Sequence, residues 1–554
     1  MYHSRLMNSL INPTLNFKIM KSLKYFLFTL MIIAVAACDQ EVIELQQPEA
    51  ITDTSCEDAV GKTGTADFTK LVAVGNSFVA GVQGGALFTD GQSNSLALII
   101  NKQLDCVRGN ASTFNQPSIG ASLGWNLFIT QPFLADNTKP ILGRMLLQYN
   151  GSASPKPTPQ PYPAGVLEAL PNPAANPGFM YSGSKTELNN FAVPAITLGQ
   201  ALTAATGGPA PPAPNPAFTP FYLRFASSPS PDGSSGSSIT SDAKAAGGTF
   251  HLFWLGLDDF FLYAAFGGDP TKAPLTSSGA FTAQYNAALF TASPNTGLLT
   301  ADADSKAVVG NFPDIFLMPH FTSVTYNAIP LDAVTAEALT TNLATNYNGF
   351  LNAMVGAGVI TAEERDKRLL TYVAGQNKIL LTDETLTDLT AAMNANGAGA
   401  LVPYARARQT TSADKLPLSA GSVLGVNGAG VNSPLSDQYV LIPSEIIEIN
   451  NARTSFNATV QATVDANPTR LALADVNGAL STLVTNQAGV YNGVTITPNI
   501  NPPTGIYSED GVHLNSRGYA FISRTFIAAI NTKFGSEIPL TDLSKYSATG
   551  LPIP

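Results

Sequence analysis

Val72-Ala73-Val74-Gly75-Asn76-Ser77-Phe78 is an apolar run, partly β-branched, that breaks into a sharp turn carrying a small hydroxyl residue. Bounded by glycine, such a run reads as a buried strand that hands over to a turn. A strand is expected over Leu71–Gly75 and a helix over Ser95–Leu104 behind it. The alternation continues downstream. Phe250–Gly256 reads as a central strand, Asp314–Met318 as a short one before Pro319-His320-Phe321, and Leu471–Asp475 as the last. Ser516–Phe534 is expected as a closing helix, with Tyr519, Ile522, Phe526, Ile527 and Ile530 on one face and Gly535 as its stop. Strands alternating with helices favour an α/β fold with a parallel sheet, active residues lying at the carboxyl ends of strands.

The closing helix is preceded by Asp510-Gly511-Val512-His513, and His513 is one of only four histidines in the chain. A carboxylate three residues before a histidine, with a hydroxyl at a strand end far upstream, supplies the parts of an Asp–His–Ser relay. The imidazole takes the hydroxyl proton, and the carboxylate holds its tautomer and stabilises its cation. Each part has a plainer reading: Ser77 as a turn serine, Asp510 as a turn aspartate, His513 as a packing residue at a helix start. Their order and pairing favour the relay.

These stretches resemble the SGNH/GDSL hydrolases, a family of serine esterases and lipases. Gly75-Asn76-Ser77-Phe78 is similar to the family's Gly-Asp-Ser-Leu block, with Ser77 as nucleophile. Asp510 and His513 match the closing triad members. Asn190-Phe191-Ala192-Val193-Pro194-Ala195 is similar to the second block, which usually ends in an oxyanion-hole glycine, and Trp254-Leu255-Gly256-Leu257-Asp258-Asp259 to the third, usually Gly-x-Asn-Asp. The resemblance implies a three-layer α/β/α fold around a mostly parallel, flavodoxin-like sheet. It also implies hydrolysis of acyl esters without a cofactor. The oxyanion hole would be formed by the backbone N–H groups of Ser77 and Ala195, together with residue 258. Asp258 departs from the family's asparagine, and losing a side-chain donor there costs about 10²–10³ in rate. Two arrangements would answer this. Burial and like-charge neighbours, Asp259 among them, would keep Asp258 protonated as a donor, or Asn76 would face Asp258 and keep the polar contact with roles reversed. A protein that kept the fold for binding or assembly and lost turnover is the rival reading.

The first 37 residues read as a leader with an over-extended start. Met20-Lys21-Ser22-Leu23-Lys24 is a basic n-region, and Tyr25–Ala37 is an apolar run too short to span a bilayer comfortably. Val35-Ala36-Ala37-Cys38 looks like a bacterial lipobox, with Cys38 as the lipidated residue. An exported protein anchored to the cell envelope is expected, outer membrane being the first choice, with residues 38–67 as lipid anchor and polar tether. Cys56 and Cys106 then either bridge or remain separate thiols.

Charged residues make up 12% of the 554 residues and the net charge is −10, so no basic stripe exists to meet phosphates and nucleic acid is excluded as a partner. No metal-ligand spacing is visible. His251 and His320 stand alone in apolar runs and read as satisfied core or pocket-lining residues. Asp258 and Asp259 lack a third carboxylate for a cation, and Phe260, Phe261 and Tyr263 are candidates for an acyl pocket or for core. Residues 68–540 are long for one such sheet, so insertions are expected at about 107–185, 204–247 and 333–430, the last helical, with 541–554 as a tail. Within 333–430 the helical patterns run over Ala333–Val355 and Ala362–Ala374. Pro-rich Gly151–Gly178 and Gly207–Pro216 and Ser/Gly-rich Ser227–Thr240 read as loops. The sequence leaves the acyl substrate and the oligomeric state open.

Overall fold

The computed structural model describes residues 55–548, apart from 121–123, 127–143, 149–157, 161–179, 211–212 and 292–295. Most of the first insertion and all of the leader, with Cys38, lie outside the described residues.

Four strands pair in parallel. β1 (Leu71–Gly75) lies against β2 (Phe250–Trp254), β2 against β3 (Lys306–Gly310), and β3 against β4 (Leu471–Ala474). The other edge of β1 is covered by an extended segment around Asn190. Ala73 N–H donates to Asn189 O, Phe191 N–H to Ala73 O, and Val193 N–H to Gly75 O. Counting that segment, the order across the sheet is second, first, third, fourth, fifth. The winding therefore reverses at β1, which opens a crevice at the carboxyl ends of the strands.

All five residues of β1 and of β2 are buried, as a sheet covered on both faces requires. Side chains of β2 alternate between the covering layers. Trp254 and Phe250 meet Phe526 and Phe534, with ring centroids 5.6 and 5.8 Å apart, while Phe253 meets Tyr285 at 5.4 Å. Helices α1 (Ser77–Ala80), α2 (Leu96–Arg108), α3 (Asp258–Ala265), α4 (Ser278–Phe290), α5 (Pro443–Ala466), α6 (Val476–Asn486) and α7 (Ser516–Phe534) supply those layers. α2 and α7 pack together on one face, and α3, α4 and α5 on the other. Stacked Phe281 and Phe456, 3.9 Å between centroids, bind α4 to α5.

Several elements differ from the sequence expectations. Asp314–Met318 is a single tight turn of helix over Ile315–Leu317, because Asp314 Oδ1 accepts the Phe316 N–H at 3.0 Å and prolines 313 and 319 flank it. The third strand is instead the short Lys306–Gly310 run. The helix expected over Ala362–Ala374 stops at Arg368, after which Thr371 pairs with Gln409. The first helix of the third insertion runs over residues 333–356, with a wider π turn at Thr340–Ala344. The third insertion is a subdomain with cores of its own. Tyr347, Leu351, Leu380 and Met393 centre one, and Ile379, Leu381 and Leu416 another. Arg408 is buried there between Asp383 and Asp414.

The expected tether does not extend to residue 67, because residues 55–67 belong to the packed body. Cys56 is disulfide-bonded to Cys106 of α2, and Ala59 and Ala66 are buried. Of the expected tail, residues 541–548 are described and packed, with Thr541 and Leu543 fully buried. Among the described residues no helix is long and apolar enough to cross a membrane.

Candidate active site

β1 ends at Gly75, where a Cβ would lie 2.3 Å from Val79 Cγ2 and 2.9 Å from Trp254 O, so only glycine lets α1 turn back this closely. Asn76 caps α1. Its Oδ1 accepts the Phe78 N–H at 3.2 Å and its Nδ2 donates to Asp258 Oδ2 at 2.6 Å. The second of the two arrangements considered for residue 258, with Asn76 facing Asp258, is therefore present. Asp258 opens α3, where a carboxylate is favoured by the helix dipole. Burial pushes its pKa up to about 6, against the opposing pull of Asn76 and His513.

Ser77, the first residue of α1, is 2% exposed, and its Oγ accepts the backbone N–H of Ala195 at 3.0 Å. Ala195 has φ +51°, a left-handed conformation that favours glycine and turns this N–H toward the hydroxyl. The loop carrying it is held by the neighbouring carboxyl, because Asp259 Oδ2 accepts the Leu198 N–H at 2.8 Å and Oδ1 the Thr276 hydroxyl at 2.8 Å. Asp258 and Asp259 thus face different partners. Burial pushes Asp259 up to about 7, with the charge of Asp258 adding to the rise.

The closing pair sits opposite. His513 Nδ1 lies 2.7 Å from Asp510 Oδ2, which also accepts the Gly85 N–H at 2.5 Å, while Oδ1 accepts from the Val512 and His513 N–H groups, each at 2.8 Å. Burial alone would raise the Asp510 pKa, but the His513 ring and these N–H groups outweigh it and hold it below the usual carboxylate value. An ionised Asp510 fixes the proton on His513 Nδ1 and leaves Nε2 as the basic face. The His513 ring packs on Phe78, the neighbour of Ser77, at 5.2 Å between centroids. Among the described residues no hydrogen bond joins His513 to Ser77.

Ser77, Ala195, Asp258, Asp510 and His513, scattered over more than 400 positions, thus converge at the crevice beside β1. Of the proposed acyl-pocket residues, only Phe261 faces this region, 6.1 Å from the His320 ring. Phe260 is buried against Phe312 and Phe456, and Tyr263 donates to Glu448 on α5. Three groups escaped the sequence reading. Gly84-Gly85, both with positive φ, brings a backbone N–H to Asp510; two adjacent glycines after a short helix were the available signal. Ser508 Oγ lies 3.2 Å from Asp510 Oδ1. His320 packs against the Asp510–Gly511 backbone, which no spacing in the sequence announces.

His251 is a buried core residue, as expected, but its ring is unsatisfied, and the His320 ring is satisfied at Nδ1 alone. Neither ring nitrogen of His251 makes a hydrogen bond, nor does Nε2 of His320. A carboxylate cluster also forms where no spacing suggested one, with oxygens of Glu384, Asp437 and Glu445 within 4.8 Å of one another. Burial and mutual repulsion push Glu445 up to about 8 and Asp437 to about 6, so protonation relieves their crowding near neutral pH. No family model, curated protein or solved structure matches the chain.

Proposed function

We propose that the protein hydrolyses carboxylic esters through an acyl-enzyme, as an SGNH-type serine hydrolase. The observation that carries this reading is the Ala195 N–H aimed at Ser77 Oγ, with the Asp510–His513 pair packed on the adjacent Phe78. The strand order, second-first-third-fourth-fifth, is the flavodoxin-like one and is compatible with that family's fold. In the reaction Ser77 Oγ attacks the ester carbonyl while His513 Nε2 takes its proton. Asp510 orients and stabilises the resulting imidazolium. The N–H groups of Ser77 and Ala195 receive the oxyanion, joined by Asp258 when it is protonated. His513 then returns the proton to the departing alcohol, and water repeats the sequence to release the acid. The leader and Cys38 support placing this activity on a lipid-anchored protein of the bacterial envelope, probed as acyl esters from acetyl to long-chain.

A second reading has its own support. The carboxyl at residue 258 and the missing Ser77–His513 hydrogen bond suit a binding or assembly protein that retains the fold without turnover. Protein starting at Asp39, with Ser77→Ala as control, separates the two. Fluorophosphonate labelling and p-nitrophenyl ester hydrolysis that vanish in Ser77→Ala support the hydrolase. Folded protein silent in both assays leaves the binding reading.

A further inference from the structure

His320 takes no part in the reaction as written, yet it is tied to the triad loop at two points. Its backbone N–H donates to Gly511 O at 2.9 Å, and its Nδ1 lies 3.2 Å from Asp510 O. A carbonyl can only accept, so Nδ1 carries the proton and Nε2 is left as a bare lone pair. That Nε2 is shut off from solvent and has no partner. Leaving a buried acceptor unpaired costs stability, so the ring is placed for what its other nitrogen does. The two segments approach so closely that a Cβ on Gly511, where φ is +69°, would lie 2.7 Å from His320 N. On its far side the ring meets Phe321 and Phe261, at 4.8 and 6.1 Å between centroids. Burial, with His513 adding to it, holds the His320 pKa below its ordinary value, which preserves the single-proton form.

We propose that His320 is a positioning residue whose Nδ1–H clamps the Asp510 carbonyl and thereby holds Asp510 and His513 in register with Ser77. The proposal rests on the serine-hydrolase reading. Asp510 reaches His513 through a four-residue turn, so rotation of its peptide plane would move the carboxylate off the His513 Nδ1–H. Misplacement of catalytic groups by about 1 Å costs on the order of 10²-fold in rate. The clamp acts on that rotation while leaving substrate contacts alone, so its loss falls on kcat and spares KM.

Three variants test this, each retaining the backbone N–H bond to Gly511. His320→Phe keeps the ring and removes the donor. His320→Asn places an amide N–H where Nδ1 was, and His320→Gln places one where Nε2 was. For His320→Phe, kcat should fall by about tenfold to a hundredfold with KM nearly unchanged. His320→Asn should recover most of the loss and His320→Gln little. Unchanged kcat in His320→Phe, or recovery by Gln in place of Asn, overturns the proposal. Fluorophosphonate labelling of wild-type Ser77 shows separately whether the hydrolase reading stands. If it fails, the downfield proton resonance of His513 Nδ1–H still decides. That signal should persist in wild type and His320→Asn and broaden in His320→Phe; an unaltered signal in His320→Phe overturns the clamp.

Discussion

The contact between Asn76 and Asp258 sets the pH behaviour expected of the site. Asp258 bears a proton below about 6 and loses it above, and only the protonated form can donate to an oxyanion. The ratio of wild-type to Asp258→Asn kcat/KM should therefore fall as pH rises through about 6, because the asparagine donates at every pH. A ratio independent of pH, or an Asp258→Asn gain of ~10² already at pH 5, would remove Asp258 from the proposed oxyanion hole. Ala195 permits a second test. At φ +51° its Cβ is strained by ~1–2 kcal/mol, so Ala195→Gly should leave stability within about 1 kcal/mol and keep kcat. Ala195→Val would be pushed out of that conformation and carry its N–H away from Ser77, lowering kcat by ~10²–10³. Thermal melts and steady-state kinetics on both variants check this. At this scale most of the site was legible, since Asn76, Ser77, Ala195, Asp258, Asp510 and His513 lie in recognisable local patterns. His320 was not, because its link to Asp510 crosses 190 positions and uses a backbone carbonyl.

Among the elements, the expected strands and helices formed where apolar periodicity and caps agreed. α2 begins with Ser95 accepting the Leu98 N–H and ends at left-handed Gly109, and α7 ends the same way at Gly535. The misread elements were decided by contacts between distant residues. Asp314 turns an apolar run into a helical turn, while the modest Lys306–Gly310 becomes a strand because β2 and β4 pair with it from either side. The bridge from Cys56 to α2 is the element-scale prediction. It closes a separation of 50 residues, for which the chain-entropy account gives about 4 kcal/mol of stabilisation. Chemical denaturation of a Cys56→Ser/Cys106→Ser double variant should show a loss of that order, with the Ser77 site intact in fluorophosphonate labelling. An unchanged denaturation midpoint would contradict it.

At the level of the whole molecule, two buried titrations bound the pH range of stability. His251, in the middle of the sheet, is pushed down to about 4 by burial. A depressed histidine contributes stability that is present above the unfolded value of 6.5 and lost as pH falls toward about 4, a change of ~3 kcal/mol. His251→Leu should flatten that acid limb in denaturation measured from pH 7 to pH 4. Glu445 works in the opposite sense. Its folded value of about 8 against an ordinary 4.5 means that stability present below pH 4.5 is lost as pH rises to about 8. Glu445→Gln should be the more stable protein at pH 8 and nearly equal at pH 5; equal melting at both would assign the cluster no cost.

By itself the sequence determined the alternation of strands and helices, the strand-to-turn placement of Ser77 and the Asp510–His513 pairing. These rest on periodicity, caps and spacings of a few residues, which act before any tertiary contact. Only the tertiary structure decided that Cys56 meets Cys106, that Asn76 faces Asp258, and that three distant carboxylates crowd together. It also decided that His320 packs against the Asp510–Gly511 backbone. Each of those joins segments separated by tens to hundreds of residues, and their approach depends on how the sheet and its insertions pack. No local pattern encodes such distances.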